Sequence, residues 1–524
     1  MRTFKALTLV STLCLSVLAA GQNDTFQFEE ASILDIQTAF SRGTLTSRQL
    51  VQWYVDRIHE HDHNYNSISE MNPDIFKLAD KADAERKAGR EHGLLHGIPI
   101  LLKDNIATGD QMHNTAGSLA LYSEECKPTR DSTIASKLRK AGALIFGKAC
   151  MSEWANLRTT DGSGAEYKDP DGWSGRCGQT HNAYNITRSP SGSSGGPAVA
   201  VALNFVTASI GTDTDCSIIA PAAIHGLVGI RPTVGLISRD LVIPISHSQD
   251  TPGPMAKSVT DAAIMLEALA GKDPRDPLTN MPPNPNKSIK YTRYLKKDGL
   301  RGARIGIPRH LYWEKFTHPE EKAVAEQAIE KLRSLGATIV DPADIPTADQ
   351  INDPSYGLGG LEFTLLNYEF KQDVKAYLSN LKEQCPMKDL ADLIQFNKDH
   401  AAEEMPYFKQ EVFEIAQNTT DLNDPFYKET LRLNRELSGP KGIDTVFKQY
   451  NLDAMFVPVD WGFFPPQPLA MAGYPQISIP VGIDQDGVPF GMSFYARAYD
   501  EPKLIKYAYA FEQATKARRP PQLL

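Results

Sequence analysis

Four short stretches do most to limit what this chain can become: Ile98-Pro-Ile-Leu-Leu102, Ala143-Leu-Ile-Phe146, Ala208-Ser-Ile210 and Leu227-Val-Gly-Ile230. They carry the pattern of strands buried on both faces, not of strands that turn one side to water. The amphipathic stretch Ser132 to Lys140 and the helix-like Ala198 to Phe205 fall between them. The alternation continues with a strand at Arg304 to Ile307, a helix from Glu320 to Leu335 and a strand at Ala337 to Val340. Strands return at Ala454 to Val457, Gln476 to Val481 and Pro489 to Phe494, and a helix from Pro502 closes the chain. With strands supplied from both ends, the expected fold class is α/β. It is a single large domain with a mixed twisted central sheet covered by helices on both faces.

Between these elements the texture changes twice. Residues 157–196 are rich in Gly, Ser, Asn and Asp and read as a long loop, whereas 360–450 is mostly helical and highly charged, a cap or insertion. Near the start, Ile33, Ile36 and Phe40 have helical spacing, and Thr46 with Gln49 forms a capping pair before Leu50, Val51, Tyr54, Val55 and Ile58. A chain of 524 residues, 41% hydrophobic and 23% charged, is globular rather than disordered or coiled-coil. Its net charge of −9, with no dense Lys/Arg run, argues against nucleic acid or an anionic membrane as a partner.

The first residues read as a targeting segment. Arg2 and Lys5 precede an apolar run from Ala6 to Ala20, too short to span a bilayer, with a cleavage site near Ala19 to Gly21. Residues 1–20 are therefore expected to be a signal peptide and 21–524 a secreted domain, with no membrane span. Sequons at Asn23, Asn185, Asn286 and Asn418 add weak support for a glycoprotein. Once Cys14 has left with the signal, Cys126, Cys150, Cys177, Cys216 and Cys385 remain. Five is odd, so at least one thiol is free or pairs between chains. No C-x-x-C pair exists, so structural zinc is not expected, and His59, His61 and His63 read as a polar helix end.

Two familiar signatures nearly match. Gly142-Ala-Leu-Ile-Phe-Gly-Lys148-Ala149 has P-loop spacing, but Ala149 lacks the hydroxyl for Mg²⁺ and the middle is strand sequence. Gly192-Ser-Ser194-Gly-Gly196 fits the G-x-S-x-G of α/β-hydrolases, an esterase reading with Ser194 as nucleophile. That elbow must follow a strand, however, and Asn185 to Ser191 is turn-like.

A third constellation holds together better. Ser189-Pro-Ser-Gly-Ser193-Ser194-Gly-Gly196 runs directly into a helix, a setting that favours developing negative charge. Gly211-Thr-Asp-Thr-Asp-Cys-Ser217-Ile follows, and upstream Lys103 ends an apolar run, where desolvation lowers an amine toward the range of a base. With Thr115-Ala-Gly-Ser118, Ser152-Glu-Trp-Ala-Asn156, Gly226-Leu-Val-Gly-Ile-Arg-Pro-Thr233 and Pro244-Ile-Ser-His-Ser-Gln-Asp-Thr-Pro-Gly-Pro-Met255, these segments resemble the amidase signature family. The flavour is closest to its peptide amidase branch and fungal relatives, and the matching motifs span 97–270.

The resemblance implies hydrolysis of a linear carboxamide, small-molecule or peptide, by a Ser-cisSer-Lys triad without metal or cofactor. Ser217 would be the nucleophile, Ser193 the bridging serine on a cis peptide and Lys103 the neutral base. The N–H groups of Thr214, Asp215, Cys216 and Ser217 would form the oxyanion hole. The chain departs from the pattern in having Cys216 and Cys177 where relatives place glycine. These are expected to be either two buried thiols or a Cys177–Cys216 disulfide, and a left-handed φ at Cys216 would be strained. Competing expectations are an impaired amidase-like protein, its oxyanion hole altered by Cys216, and an intracellular amidotransferase subunit.

Overall fold

The apolar runs become strands. The computed structural model describes residues 26–159, 171–281, 289–310, 312–316, 319–351, 353, 360–459 and 468–524. The expected signal segment 1–20 and the sequons at Asn23 and Asn286 lie outside the described residues. In chain order the strands are β1 (Ile68–Met71), β2 (Pro99–Lys103), β3 (Leu144–Ala149), β4 (Trp173–Ser174) and β5 (Gly178–Gln179). Next come β6 (Ala208–Asp213), β7 (Val228–Arg231), β8 (Thr251–Ala256), β9 (Arg304–Gly306) and β10 (Thr338–Val340). The last three are β11 (Ala454–Pro458), β12 (Gln476–Ile483) and β13 (Pro489–Tyr495).

Among the described residues, eleven strands form one sheet in the order β1-β3-β2-β6-β8-β7-β12-β13-β11-β9-β10, while β4 and β5 pair separately. The sheet is mixed. β2 lies parallel to β3 and β6, β11 lies parallel to β9, and β8, β7, β12 and β13 pair antiparallel with their neighbours. β2, β3 and β6 are buried at every position, the polar Lys103, Lys148, Thr212 and Asp213 at their ends included. One α/β domain whose sheet draws strands from both chain ends is therefore the observed architecture. Among the described residues, no helix is long and apolar enough to cross a membrane.

The helices follow their caps. The helix Ser47–His61 begins with the reciprocal Thr46–Gln49 capping box, and His59 and His61 fall in its last turn. The helix after the serine-rich loop starts earlier than its apolar run, at Gly195 rather than Ala198. The glycine there is a packing requirement, because a Cβ on Gly196 would lie 2.2 Å from the Cys150 carbonyl oxygen.

The charged region 360–450 is helical, with its longest helix at Gly360–Leu378. It shares a hydrophobic cluster with the signature core: Phe370, Tyr377 and Phe413 pack with Trp154, Leu241, Ile243 and Ile245. A disulfide, Cys126–Cys385, ties the two parts together.

Candidate active site

Because β2 is pinned between β3 and β6, its last residue, Lys103, enters the interior beside the end of β6. The amine is wholly buried and donates to Ser193 Oγ at 2.7 Å and to the Thr212 carbonyl at 3.2 Å. Burial brings its pKa down from 10.5 to about 7, against the opposing pull of Asp213 and Asp250. The lysine is thus poised between ammonium and neutral amine near neutral pH.

Ser193 follows a cis peptide from Gly192. A Cβ at Gly192 would sit 2.3 Å from Ser152 Oγ and 2.5 Å from Asp171 Oδ1, so both side chains would have to give way. The next residue, Ser194, donates its N–H to the Ser217 carbonyl at 3.2 Å, which brings the two serine segments side by side. The Ser194 hydroxyl is spent on Thr212, donating to its carbonyl at 3.2 Å, and Ser194 is fully buried. No strand leads into it and, among the described residues, no histidine bonds to it, so the esterase reading built on Ser194 does not hold.

Ser217 stands half-buried on the turn between β6 and the helix Ile219–Ile224. Asp213, the last residue of β6, organises that turn. Its carboxylate accepts from the amides of Cys216 at 2.8 Å and Ile218 at 2.7 Å, on either side of Ser217. Arg231, from β7 and completely buried, pairs with Asp213 at 2.5 Å and also donates to the carbonyls of Asp213, Thr214 and Gln249. Thr214 Oγ1 donates to Asp250 at 2.6 Å, and Gln249 Nε2 reaches the Thr214 carbonyl at 3.3 Å.

Asp213, Arg231 and Asp250 went unread as site residues in the sequence, although all three lie inside the motifs that carried the resemblance. The structure also commits the Cys216 N–H to Asp213, so that amide is an anchor of the turn rather than a ready oxyanion donor.

Cys216 has φ +78°, the left-handed conformation that costs a side-chain-bearing residue. Among the described residues it is the free, buried thiol, and burial with Asp215 and Asp213 nearby pushes its pKa well up, so it is a poor thiolate nucleophile. Both expectations for these cysteines are corrected at Cys177, which is neither a thiol nor the partner of Cys216: it is bonded to Cys150, the residue just past β3, and only Cys216 is a buried thiol as expected. Lys148 of the near P-loop sits buried in β3, donating to Asn114 Oδ1 at 3.2 Å and to the Ile106 carbonyl, with no phosphate cradle around it.

A cavity of about 550 Å³ reaches the turn from the side of Thr212 and Thr214. Its walls include Leu241, Ile243, Asp250 and Tyr377, whereas Ser193 and Ser217 do not line it.

Comparison with known proteins agrees with this geometry. Residues 49–505 match the family model described as Amidase. Over 99% of this chain and 97% of the relative, the sequence is 39% identical to a probable amidase of Arabidopsis thaliana. The fold is similar to the crystal structure of a peptide amidase from Stenotrophomonas maltophilia, with TM-score 0.87, 43% identity and coverage of 95% of this chain and 99% of that one. A peptide amidase in complex with the competitive inhibitor chymostatin is similarly close, with TM-score 0.86, 42% identity and coverage of 95% and 100%.

Proposed function

The chain belongs to the amidase family, and on that premise we propose that Ser217 is the nucleophile of its carboxamide hydrolysis, with Ser193 and Lys103 as the proton relay. The 2.7 Å hydrogen bond from Lys103 to Ser193 carries this reading, because it joins a desolvated amine with pKa near 7 to a buried hydroxyl. In the forward step neutral Lys103 takes the Ser193 proton while Ser193 takes that of Ser217. The Ser217 oxygen attacks the carbonyl carbon, and the electron pair moves to an oxyanion facing the N–H groups of Thr214, Asp215 and Ser217. The proton returns through Ser193 to the leaving nitrogen as the C–N bond breaks. Water then cleaves the acyl ester by the same relay and restores the Ser217 hydroxyl.

The substrate we propose is a peptide-like carboxamide, on the strength of the two peptide amidase structures, one of them in complex with a competitive inhibitor. Secretion is proposed as well. It is supported by the charged-then-apolar start at Arg2 to Ala20 and by two disulfides, which suit an oxidising compartment.

Intact mass after exposure to a fluorophosphonate probe tests the nucleophile. A single adduct is expected on the wild type and none on Ser217→Ala; equal labelling of both would remove Ser217 from the role.

Cys216 supports one second reading, an impaired hydrolase whose thiol crowds the oxyanion. Cys216→Gly relieves left-handed strain of about 1–2 kcal/mol. We expect the wild type to be labelled and the variant to be labelled at least as fast. A wild type that stays unlabelled until Cys216 becomes glycine would establish the impaired reading.

A further inference from the structure

Along the helix Gly360–Leu378, Glu362, Glu369 and Asp373 recur at spacings that place them on one face. That face grips the loop 245–250 nearly residue by residue. Glu362 accepts from Gln249 Nε2 at 2.5 Å. Glu369 accepts from Ser248 Oγ at 2.6 Å, from the Ser248 N–H at 3.1 Å and from Ser246 Oγ. Asp373 accepts from the His247 N–H at 2.7 Å and lies 2.9 Å from His247 Nδ1. On the other edge of the ring, His247 Nε2 is 3.3 Å from Glu369 Oε1. The loop then ends at Asp250, which holds Thr214 Oγ1 at 2.6 Å, and Thr214 opens the turn that carries Ser217.

We propose that His247 is a positioning residue for hydrolysis: its imidazolium form, clasped between Asp373 and Glu369, fixes the loop 245–250 and through it the turn of Ser217. This rests on the reading of Ser217 as nucleophile. The two ring nitrogens face two different carboxylates, Nδ1 at 2.9 Å from Asp373 and Nε2 at 3.3 Å from Glu369, an arrangement that a doubly protonated ring suits.

Several other charged groups surround the ring. Arg239 donates to the His247 carbonyl at 2.5 Å and is itself paired with Asp276 at 2.9 Å. Asp250 sits three residues along the loop, and Tyr427 donates to Glu369 at 2.9 Å. Burial and Arg239 favour the neutral ring, but the hydrogen bond to Asp373 and the charges of Glu369 and Asp373 prevail, so the His247 pKa is raised. A raised folded-state pKa means the clasp is complete below the ordinary histidine value and is lost as pH rises through the folded value. The side chain is 40% exposed, so it exchanges protons with solvent.

The rate of fluorophosphonate labelling of Ser217 against pH tests the proposal, since a merely structural role would not move a titration limb. The wild type is expected to lose rate on an alkaline limb. Asp373→Asn, which leaves the ring in place, should move that limb down by about one pH unit. His247→Lys, which keeps a charge, should move it up toward the lysine range, and His247→Gln should remove the limb and label about tenfold more slowly at pH 7. Superimposable profiles for wild type, Asp373→Asn and His247→Gln would overturn the proposal. So would a stoichiometric divalent metal retained by desalted wild type and lost in His247→Gln. An absence of labelling at every pH, in Cys216→Gly as well as in the wild type, would instead overturn the reading of Ser217.

Discussion

Lys103 shows how one residue couples chemistry to stability. Burial depresses a cation's folded pKa, here to about 7 against 10.5 when free. Between those values the unfolded chain binds the extra proton, so the contribution of this site to stability rises with pH and is poorest below about 7. Lys103→Met should therefore abolish labelling of Ser217 and raise the thermal midpoint, most at pH 6 and progressively less toward pH 9. A gain independent of pH would mean that the lysine does not lose its proton near neutrality. Lys103, Ser193 and Ser217 could be singled out in the sequence because each stands in a motif whose residue type is itself the signal, and the fold joins Lys103 to Ser193. Asp213 and Arg231 were not, since a buried acid and its buried base look in a sequence like any surface pair. The cysteines misled for a related reason: nothing in the sequence points Cys177 toward Cys150, so it read as a buried thiol or a partner of Cys216, while the end of β3 brings Cys150 there instead.

Among the elements, β8 was the hardest to read. Pro252 and Pro254 lack the N–H that a central strand normally donates, yet Thr251–Ala256 lies in mid-sheet. The prolines share one parity, and β7 pairs only with the last two residues, Met255 and Ala256, so the ladder on that side asks little of them. β2 and β3 were plain because burial on both faces leaves a short apolar run, Ile98–Leu102 and Leu144–Phe146, whereas β6 shows only Ala208-Ser-Ile210. The joint between β6 and β7 offers its own test. Arg231→Met would leave Asp213 buried without its partner, a loss of about 3–5 kcal/mol in denaturant unfolding, and Asp213→Asn added to it should recover part of that. Unfolding of Arg231→Met at the wild-type midpoint would show that the pair does not hold the turn.

For the whole molecule, the order of strands has a consequence for how the protein is made. β7 is flanked by β8 on one side and by β12 on the other, and β12 begins only at Gln476. A ribosome therefore delivers β1 to β8, with the complete Lys103–Ser193–Ser217 region, long before the strand that covers the β7 edge exists. Until then the nascent sheet shows an open row of backbone donors and acceptors, the kind of edge that recruits stray strands. Residues 259–475, with β9, β10, β11 and the helices of the 360–450 region, are translated in that interval. An enzyme whose proposed catalytic residues are all present in its first half is thus committed to wait for its second, and in that waiting time a chaperone has most to offer it.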